Sequence, residues 1–191
     1  MKKNLLYIHG FNSSPGSVKA QQMKEYLADN HPEVSFHCPQ LANTPNDAID
    51  QLNNIIASAP EEFWCLVGSS LGGYFSTYFS EKYGFKAVLV NPAIRPFELF
   101  SDYLGEQQNP YTNEVYEVTE DFVVDLKILE QTKINEKNYL VMVQTDDEVL
   151  NYQEAVDKFQ KSELIVQQGG DHSFVDFDKM LPTIVNFFQL P

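Results

Sequence analysis

The segment GSSLG at residues 68–72 fits the pattern GxSxG, with Ser70 at its centre. In this pattern the serine lies on a tight turn from a strand into a helix, and the glycines let backbones pass where a Cβ would clash. Both neighbours are present, because an apolar run at 63–67 precedes the motif and a helical pattern over 72–83 follows it. The segment predicts Ser70 as a nucleophile for acyl transfer, the alternative being a glycine-rich turn without catalysis.

A serine hydroxyl is a weak nucleophile and needs a general base. The chain order expected for this kind of site is serine, acid, histidine. Among the four histidines only His172 follows Ser70, in a glycine-rich loop between the last apolar run and the last helical pattern. The acid should follow a strand between the two, and the apolar run at 139–143 leads into three acids whose spacing does not choose between them: Asp146, Asp147 and Glu148.

Acyl transfer also needs hydrogen-bond donors for the developing oxyanion. The backbone N–H of Leu71, directly after the nucleophile, is one expected donor. The other should come from the loop after an early strand, where the apolar run at 5–8 leads into His9, Gly10 and Phe11. We expect the N–H of Phe11 to face the site and His9 to be structural, whereas the alternative is an ordinary glycine turn.

Short apolar runs alternate with helical patterns along the chain. Near-continuous apolar runs are typical of strands buried on both faces, and their alternation with helices predicts a parallel α/β sheet. The predicted strands lie at 5–8, 34–36, 63–67, 87–90, 139–143 and 164–166, and the predicted helices at 17–30, 45–59, 72–83, 153–159 and 175–188.

Residues 92–136 interrupt this alternation. The segment is too long for an ordinary connection and carries six aromatic residues, so we interpret it as a short insertion or lid over the sheet edge. With 191 residues in total, we expect one α/β domain over 1–191 and no room for a large second domain.

The formal net charge is −14, from 27 acidic and 13 basic residues. A field of this sign repels nucleic acid and anionic lipid surfaces, so we expect neither nucleic acid nor a membrane as a partner. The chain has a single arginine, Arg95, which excludes a phosphate-binding arginine cluster.

The two cysteines, Cys38 and Cys65, form no CxxC pair, and no Cys/His cluster has zinc-like spacing. We therefore expect no metal site, and two thiols without a disulfide framework favour a reducing compartment. The apolar run after Met1 is too short for a signal peptide, and no run approaches the roughly 20 apolar residues of a membrane span. These features predict a cytoplasmic protein.

Five segments together resemble the small bacterial YqiA-type esterases of the α/β-hydrolase superfamily over nearly the whole chain: HGFNSSP, GSSLGGY, NPAIRP, TDDEVL and GGDHSF. The resemblance implies a three-layer α/β/α sandwich, carboxylester hydrolase activity and no cofactor. It implies Ser70, Asp147 and His172 as the catalytic residues. Relatives often carry glycine before this aspartate, whereas Asp146 stands there in this chain and places a second carboxylate beside Asp147.

The sequence thus favours a serine esterase that acts on a small acyl ester with a short to medium acyl chain. An acyl thioesterase uses the same serine chemistry and stays open. A hydrolase fold kept only for binding is a further alternative, although the complete serine, acid and histidine set argues against it. A peptidase is less favoured, because nothing in the sequence marks a pocket for a peptide amine or a proline.

Overall fold

A computed structural model describes residues 2–190. All neighbouring strands of its main sheet are parallel, and the six strands are ordered β2-β1-β3-β4-β7-β8. A separate antiparallel hairpin pairs β5 with β6. The strands are β1 (Lys3–Ile8), β2 (Val34–His37), β3 (Phe63–Ser69), β4 (Lys86–Val90), β5 (Gly105–Gln108), β6 (Val115–Val118), β7 (Tyr139–Gln144) and β8 (Glu163–Gln167).

Helices cover both faces of this sheet. They are α1 (Val18–Asn30), α2 (Pro45–Ala57), α3 (Leu71–Tyr83), α4 (Pro96–Phe100), α5 (Glu120–Ile128), α6 (Tyr152–Lys158) and α7 (Leu181–Phe188), with 3-10 turns at Ser101–Tyr103, Glu136–Asn138 and Phe177–Met180. None of the helices formed by residues 2–190 combines the length and the apolar character that crossing a membrane requires.

Alternating side chains of each strand enter two separate cores. On β1, Leu5 and Tyr7 pack with α1 and α7, whereas Leu6 and Ile8 pack with α2, α3, α5 and α6. The central strands β3, β4 and β7 are buried on both faces, which is why their sequences read as continuous apolar runs. The predicted three-layer α/β/α sandwich with a parallel sheet is confirmed.

The insertion has more structure than the sequence predicted. Between β4 and β7 it folds into α4, the β5–β6 hairpin and α5. Phe97, Phe100 and Phe122 are buried and extend the core that lies over α2 and α3. The helix α4 and the hairpin escaped prediction because α4 has only 5 residues and each hairpin strand only 4, so no periodicity can develop.

The last predicted helix is shorter than expected. The sequence pattern predicted one helix over 175–188, but Phe177–Met180 is a 3-10 turn and α7 begins at Leu181. Pro182 lies in the first turn of α7, where its missing N–H costs no helical hydrogen bond. The proline therefore fits the start of a helix and not the interior of a longer one.

Candidate active site

Ser70 lies at the junction of β3 and α3 in a strained backbone conformation, with φ 55° and ψ −121°. Its N–H donates to the carbonyl oxygen of Val90 at 3.1 Å, which ties the turn to the next strand. A Cβ on Gly72 would overlap the carbonyl oxygen of Ile8, and one on Gly68 would overlap the first turn of α3. The two glycines therefore allow α3 to begin directly against the sheet, with the serine at the apex of the turn.

The structure brings together Ser70, His172 and Asp147, which lie far apart in the chain. Ser70 Oγ is 3.1 Å from His172 Nε2, and His172 Nδ1 is 2.9 Å from Asp147 Oδ2. The Asp147 side chain is 2% exposed and that of His172 is 22% exposed. Because a carboxylate only accepts, Nδ1–H donates to Asp147, which leaves Nε2 to accept from the Ser70 hydroxyl.

The Asp147 carboxylate is fixed by its own turn after β7. Its Oδ1 accepts the N–H groups of Val149 and Leu150 at 2.9 and 2.8 Å. Burial alone would raise the pKa of this carboxyl, but the hydrogen bonds from His172, Leu150 and Val149 together lower it. Asp147 is therefore charged and oriented in the folded protein.

The other two acids of this turn make hydrogen bonds with groups other than the imidazole ring. The exposed Asp146 accepts a hydrogen bond from the Thr145 hydroxyl at 3.2 Å and does not contact His172. Glu148 Oε2 accepts the backbone N–H of His172 at 2.9 Å. Asp147 thus holds the imidazole ring and Glu148 holds the backbone of the same residue, a contact that the sequence did not predict.

Two buried amide side chains hold the loop that carries His172. Gln144, at the end of β7, accepts the N–H groups of Asp171 and Val175 through Oε1 at 3.1 and 2.9 Å. Asn91, at the end of β4, donates through Nδ2 to the carbonyl oxygens of Asp171 at 2.9 Å and His172 at 3.2 Å. The Asn91 Oδ1 atom accepts the N–H of Gln144, so the two amides form one network.

Neither of these positioning residues was predicted from the sequence. Gly170 has φ +81°, and a Cβ added at this position would overlap the Gln144 side chain, so the loop and the amide fit each other closely. A signal was available, since Asn91 and Gln144 are polar residues at the carboxyl ends of buried apolar strands. In open α/β sheets this edge is where ligands bind.

Replacing Asn91 with glycine is expected to lower kcat by roughly 10- to 100-fold with little change in KM, because His172 loses its fixed position. Glycine tolerates the positive φ of 40° at this position. The unpaired carbonyl and N–H groups should also cost about 1–3 kcal/mol of stability.

Asn4→Ala is the matched control. Asn4 is equally buried and hydrogen-bonded to Glu62, but it lies near the amino end of β1, at the opposite edge of the sheet. It should lower the melting temperature while leaving kcat near that of the wild type. Equal losses of kcat in both variants would show that Asn91 acts only on stability.

Phe11 and Leu71, the residues predicted to supply the oxyanion donors, line the same pocket as Ser70. The loop after β1 is held by His9, whose Nδ1 donates to the carbonyl of Gly10 at 2.9 Å and whose Nε2 accepts the N–H of Leu41 at 3.1 Å. Burial lowers the pKa of His9, in agreement with this neutral, structural role. Within residues 2–190, no acceptor takes the backbone N–H of Phe11 or of Leu71, so both stay available to a substrate oxygen.

The insertion is attached to this same loop. Tyr116 of β6 donates its hydroxyl to Asn12 Oδ1 at 2.6 Å, and Asn109 Nδ2 donates to the carbonyl of Ser13 at 3.0 Å. The Phe11 ring packs edge-on against the Phe100 ring, with 4.7 Å between the two ring centroids. These contacts make the insertion a fixed cover over one side of the site.

Two cavities meet at the serine. An apolar pocket of about 180 Å³ lies under the insertion, lined by Leu99, Phe100, Val149 and Leu150. A more polar cleft of about 480 Å³ lies on the opposite side, between α1 and the His172 loop. Ser70 and His172 line both cavities. Among residues 2–190, no three His, Cys, Asp or Glu side chains gather as a metal site.

A model of the uncharacterised protein family UPF0227 matches residues 4–189. The chain belongs to this family. UPF0227 proteins of Vibrio parahaemolyticus and Serratia proteamaculans are 22% and 21% identical to it, covering 96% and 98% of this chain and 98% and 99% of their own lengths. The resemblance to the YqiA-type family is thereby confirmed.

Solved structures share the architecture of this UPF0227 protein. Mouse alpha/beta hydrolase domain-containing protein 10 superposes with a TM-score of 0.77 at 16% identity, covering 99% of this chain and 90% of its own. Est1E from Butyrivibrio proteoclasticus gives a TM-score of 0.72 at 14% identity, covering 100% and 88%. A monoacylglycerol lipase from Paleococcus ferrophilus gives 0.71 at 14% identity, covering 97% and 93%. The α/β-hydrolase fold predicted from the sequence is confirmed.

Proposed function

We propose that this UPF0227 protein is a serine hydrolase that cleaves small carboxylic esters through an acyl-enzyme at Ser70. The single observation that carries the proposal is the continuous hydrogen-bond chain from Ser70 Oγ through His172 to the buried Asp147. The strained serine and the two N–H donors beside it support the same chemistry.

In the acylation step, Ser70 Oγ attacks the carbonyl carbon of the ester while His172 Nε2 takes the hydroxyl proton. The carbonyl oxygen becomes an oxyanion that accepts from the N–H groups of Phe11 and Leu71. Asp147 stabilises the imidazolium and keeps Nδ1 protonated. His172 then gives its Nε2 proton to the departing alkoxide, the ester C–O bond breaks, and an alcohol leaves.

In the deacylation step, a water molecule replaces the alcohol. The water oxygen attacks the acyl carbon while His172 takes a proton from the water. The oxyanion again forms between the same two N–H groups. The bond to Ser70 Oγ breaks, His172 returns the proton to the serine, and a carboxylic acid leaves. At the end of the cycle every proton and electron pair is accounted for, and no cofactor is needed.

The structural neighbours support a hydrolase. One is called a monoacylglycerol lipase, and a solved structure of Est1E contains bound ferulic acid, a carboxylic acid. A non-catalytic binding protein would not need a strained serine aligned with a histidine and a buried carboxylate, because such strain costs about 1–3 kcal/mol.

The apolar pocket under the insertion fits the acyl chain. Its walls are mainly aliphatic and aromatic, and its volume of about 180 Å³ suits a short to medium chain. Two of the three basic residues of the insertion are engaged elsewhere, since Arg95 pairs with Glu98 and Glu154 and Lys127 lies over the Phe97 ring. This arrangement favours an ester over a thioester with an anionic nucleotide carrier.

A series of soluble esters with one alcohol and increasing acyl length is expected to give the highest kcat/KM at short or medium length. Leu99→Trp should move the optimum to shorter acyl chains, because the larger side chain fills the pocket. Ile128→Trp, on the exposed surface of α5, is the matched control. A preference for emulsified long-chain triglyceride would contradict the proposal, and faster cleavage of matched thioesters would favour the thioesterase alternative.

The value of kcat/KM is expected to rise with pH along a single limb. His172 must be neutral to take the proton of Ser70, and histidines change charge between about pH 5 and pH 8. The lowered pKa of Asp147 keeps that carboxylate ionised throughout this limb, so it adds no second rise. Initial rates measured from about pH 5 to about pH 9 test this, and a flat profile would contradict a histidine base.

A further inference from the structure

The polar cleft of about 480 Å³ beside Ser70 has a role that the proposed acyl transfer leaves open. It lies between the first turns of α1 and the His172 loop, and its walls include Tyr7, Lys19, Gln22 and Asp171. Ligand sites of small molecules commonly have volumes of about 300–1,000 Å³. The cleft is therefore large enough for the portion of a substrate that the apolar pocket cannot hold.

Residues that line this cleft carry buried polar atoms without hydrogen-bond partners. Within residues 2–190, such side-chain atoms are Tyr7 OH, Gln22 Oε1, Asp171 Oδ1 and Ser162 Oγ. The first three belong to residues that line the cleft, and Tyr7 is only 1% exposed. Folded proteins pair nearly all buried polar groups, so three unpaired atoms around one cavity indicate a ligand that supplies hydrogen bonds.

The unpaired atoms define the chemistry of that ligand. Gln22 Oε1 and the Asp171 carboxylate only accept hydrogen bonds, and the Tyr7 hydroxyl can accept or donate. Lys19 Nζ donates to the carbonyl of Ser173 at 2.8 Å and has further N–H donors. A group that both donates to the acceptors and accepts from the lysine satisfies this wall, and a hydroxyl group does both.

The charges around the cleft are of both signs and favour a ligand without net charge. Lys19 would repel a cation, and the carboxylates of Asp171 and Asp147, which act on Lys19 electrostatically, would repel an anion. Burial lowers the pKa of Lys19 to about 8, and the carboxylates of Asp171 and Asp147 oppose this shift. A neutral, hydroxyl-rich group fits these conditions best.

We propose that the cleft binds the alcohol portion of the ester and selects alcohols that carry additional hydroxyl groups, such as polyols and sugars. This proposal rests on the proposed ester hydrolysis. With the acyl chain in the apolar pocket and the polyol in the cleft, the scissile ester lies at Ser70, where the two cavities meet. His172 lines both cavities, so its Nε2 proton can reach the departing polyol oxygen.

The test compares two butanoate esters that differ only in hydroxyl groups, glycerol monobutanoate and propyl butanoate. Wild-type kcat/KM is expected to be at least about tenfold higher for the glycerol ester, which is the effect of one or two additional hydrogen bonds. Gln22→Met removes the amide acceptor at similar size and should reduce this selectivity ratio by about tenfold. Gln21→Met, the neighbour on α1 that lies outside the cleft wall, should keep the ratio.

Equal kcat/KM for the two esters, or a ratio unaffected by Gln22→Met, would overturn the polyol proposal while the ester hydrolysis stands. Cleavage of neither ester would instead count against the proposed hydrolase. In that case, binding of glycerol monobutanoate to the Ser70→Ala protein, measured by calorimetry, still decides the question. If the glycerol ester binds more tightly than propyl butanoate, and adding Gln22→Met removes this difference, the cleft is supported as a polyol site. Equal binding of the two esters would overturn it.

Discussion

Replacing Ser70 with alanine is expected to lower kcat for ester hydrolysis by on the order of 10⁴-fold or more, because the members of a catalytic triad act as a unit. The variant loses the atom that attacks the carbonyl carbon and can form no acyl-enzyme. Alanine differs from serine only by the missing hydroxyl, so the turn between β3 and α3 should keep its shape. Steady-state rates and thermal unfolding of the purified variant measure both effects.

Ser69→Ala is the matched control for this variant. Ser69 is the last residue of β3 and is buried, and its hydroxyl takes no part in the hydrogen-bond chain to His172. We expect it to retain much of the wild-type rate. Wild-type activity in a folded Ser70→Ala protein would remove the serine from the mechanism.

Asp147→Asn is expected to lower kcat by roughly 10³- to 10⁴-fold at neutral pH. The asparagine Oδ1 can still accept from Val149 and Leu150, which turns the amide NH₂ towards His172 Nδ1. The imidazole then carries its proton on Nε2 and cannot accept the proton of Ser70. The loss therefore comes from the wrong tautomer and not from a disrupted turn.

Asp146→Asn provides the comparison one residue away. Asp146 is exposed and contacts Thr145 and not His172, so we expect a change of less than about threefold, as for an ordinary surface substitution. If Asp146→Asn proved the more damaging change, the assignment of the acid would pass to Asp146. If neither variant lost activity, another acid would have to orient the histidine.

The fold could be predicted from the sequence because its signals are continuous in the chain. Each strand of the main sheet is a short apolar run, and the predicted limits differ from the observed ones by at most two residues at either end. The insertion lacked such signals, since β5 has the polar sequence GEQQ and its stability comes from pairing with β6 and from the anchors at Asn12 and Ser13.

The candidate site could be predicted in part. Chain order selected Ser70 and His172, because a parallel sheet places the ends of β3 and β8 at one edge. Spacing did not separate Asp146, Asp147 and Glu148, since the turn after β7 decides which carboxylate faces the ring. Asn91 and Gln144 act through contacts between strands that are distant in sequence, and no local pattern encodes such contacts.

The most direct test of the central claim is reaction with a fluorophosphonate, which reacts preferentially with an activated serine. Intact-mass measurement should show one phosphonyl group on the wild-type protein, and peptide mapping should place it on Ser70. Asp147→Asn should react much more slowly, and Ser70→Ala should gain no mass. Absence of labelling in the folded wild-type protein, or equal labelling of Ser70→Ala, would contradict the assignment of Ser70 as the nucleophile.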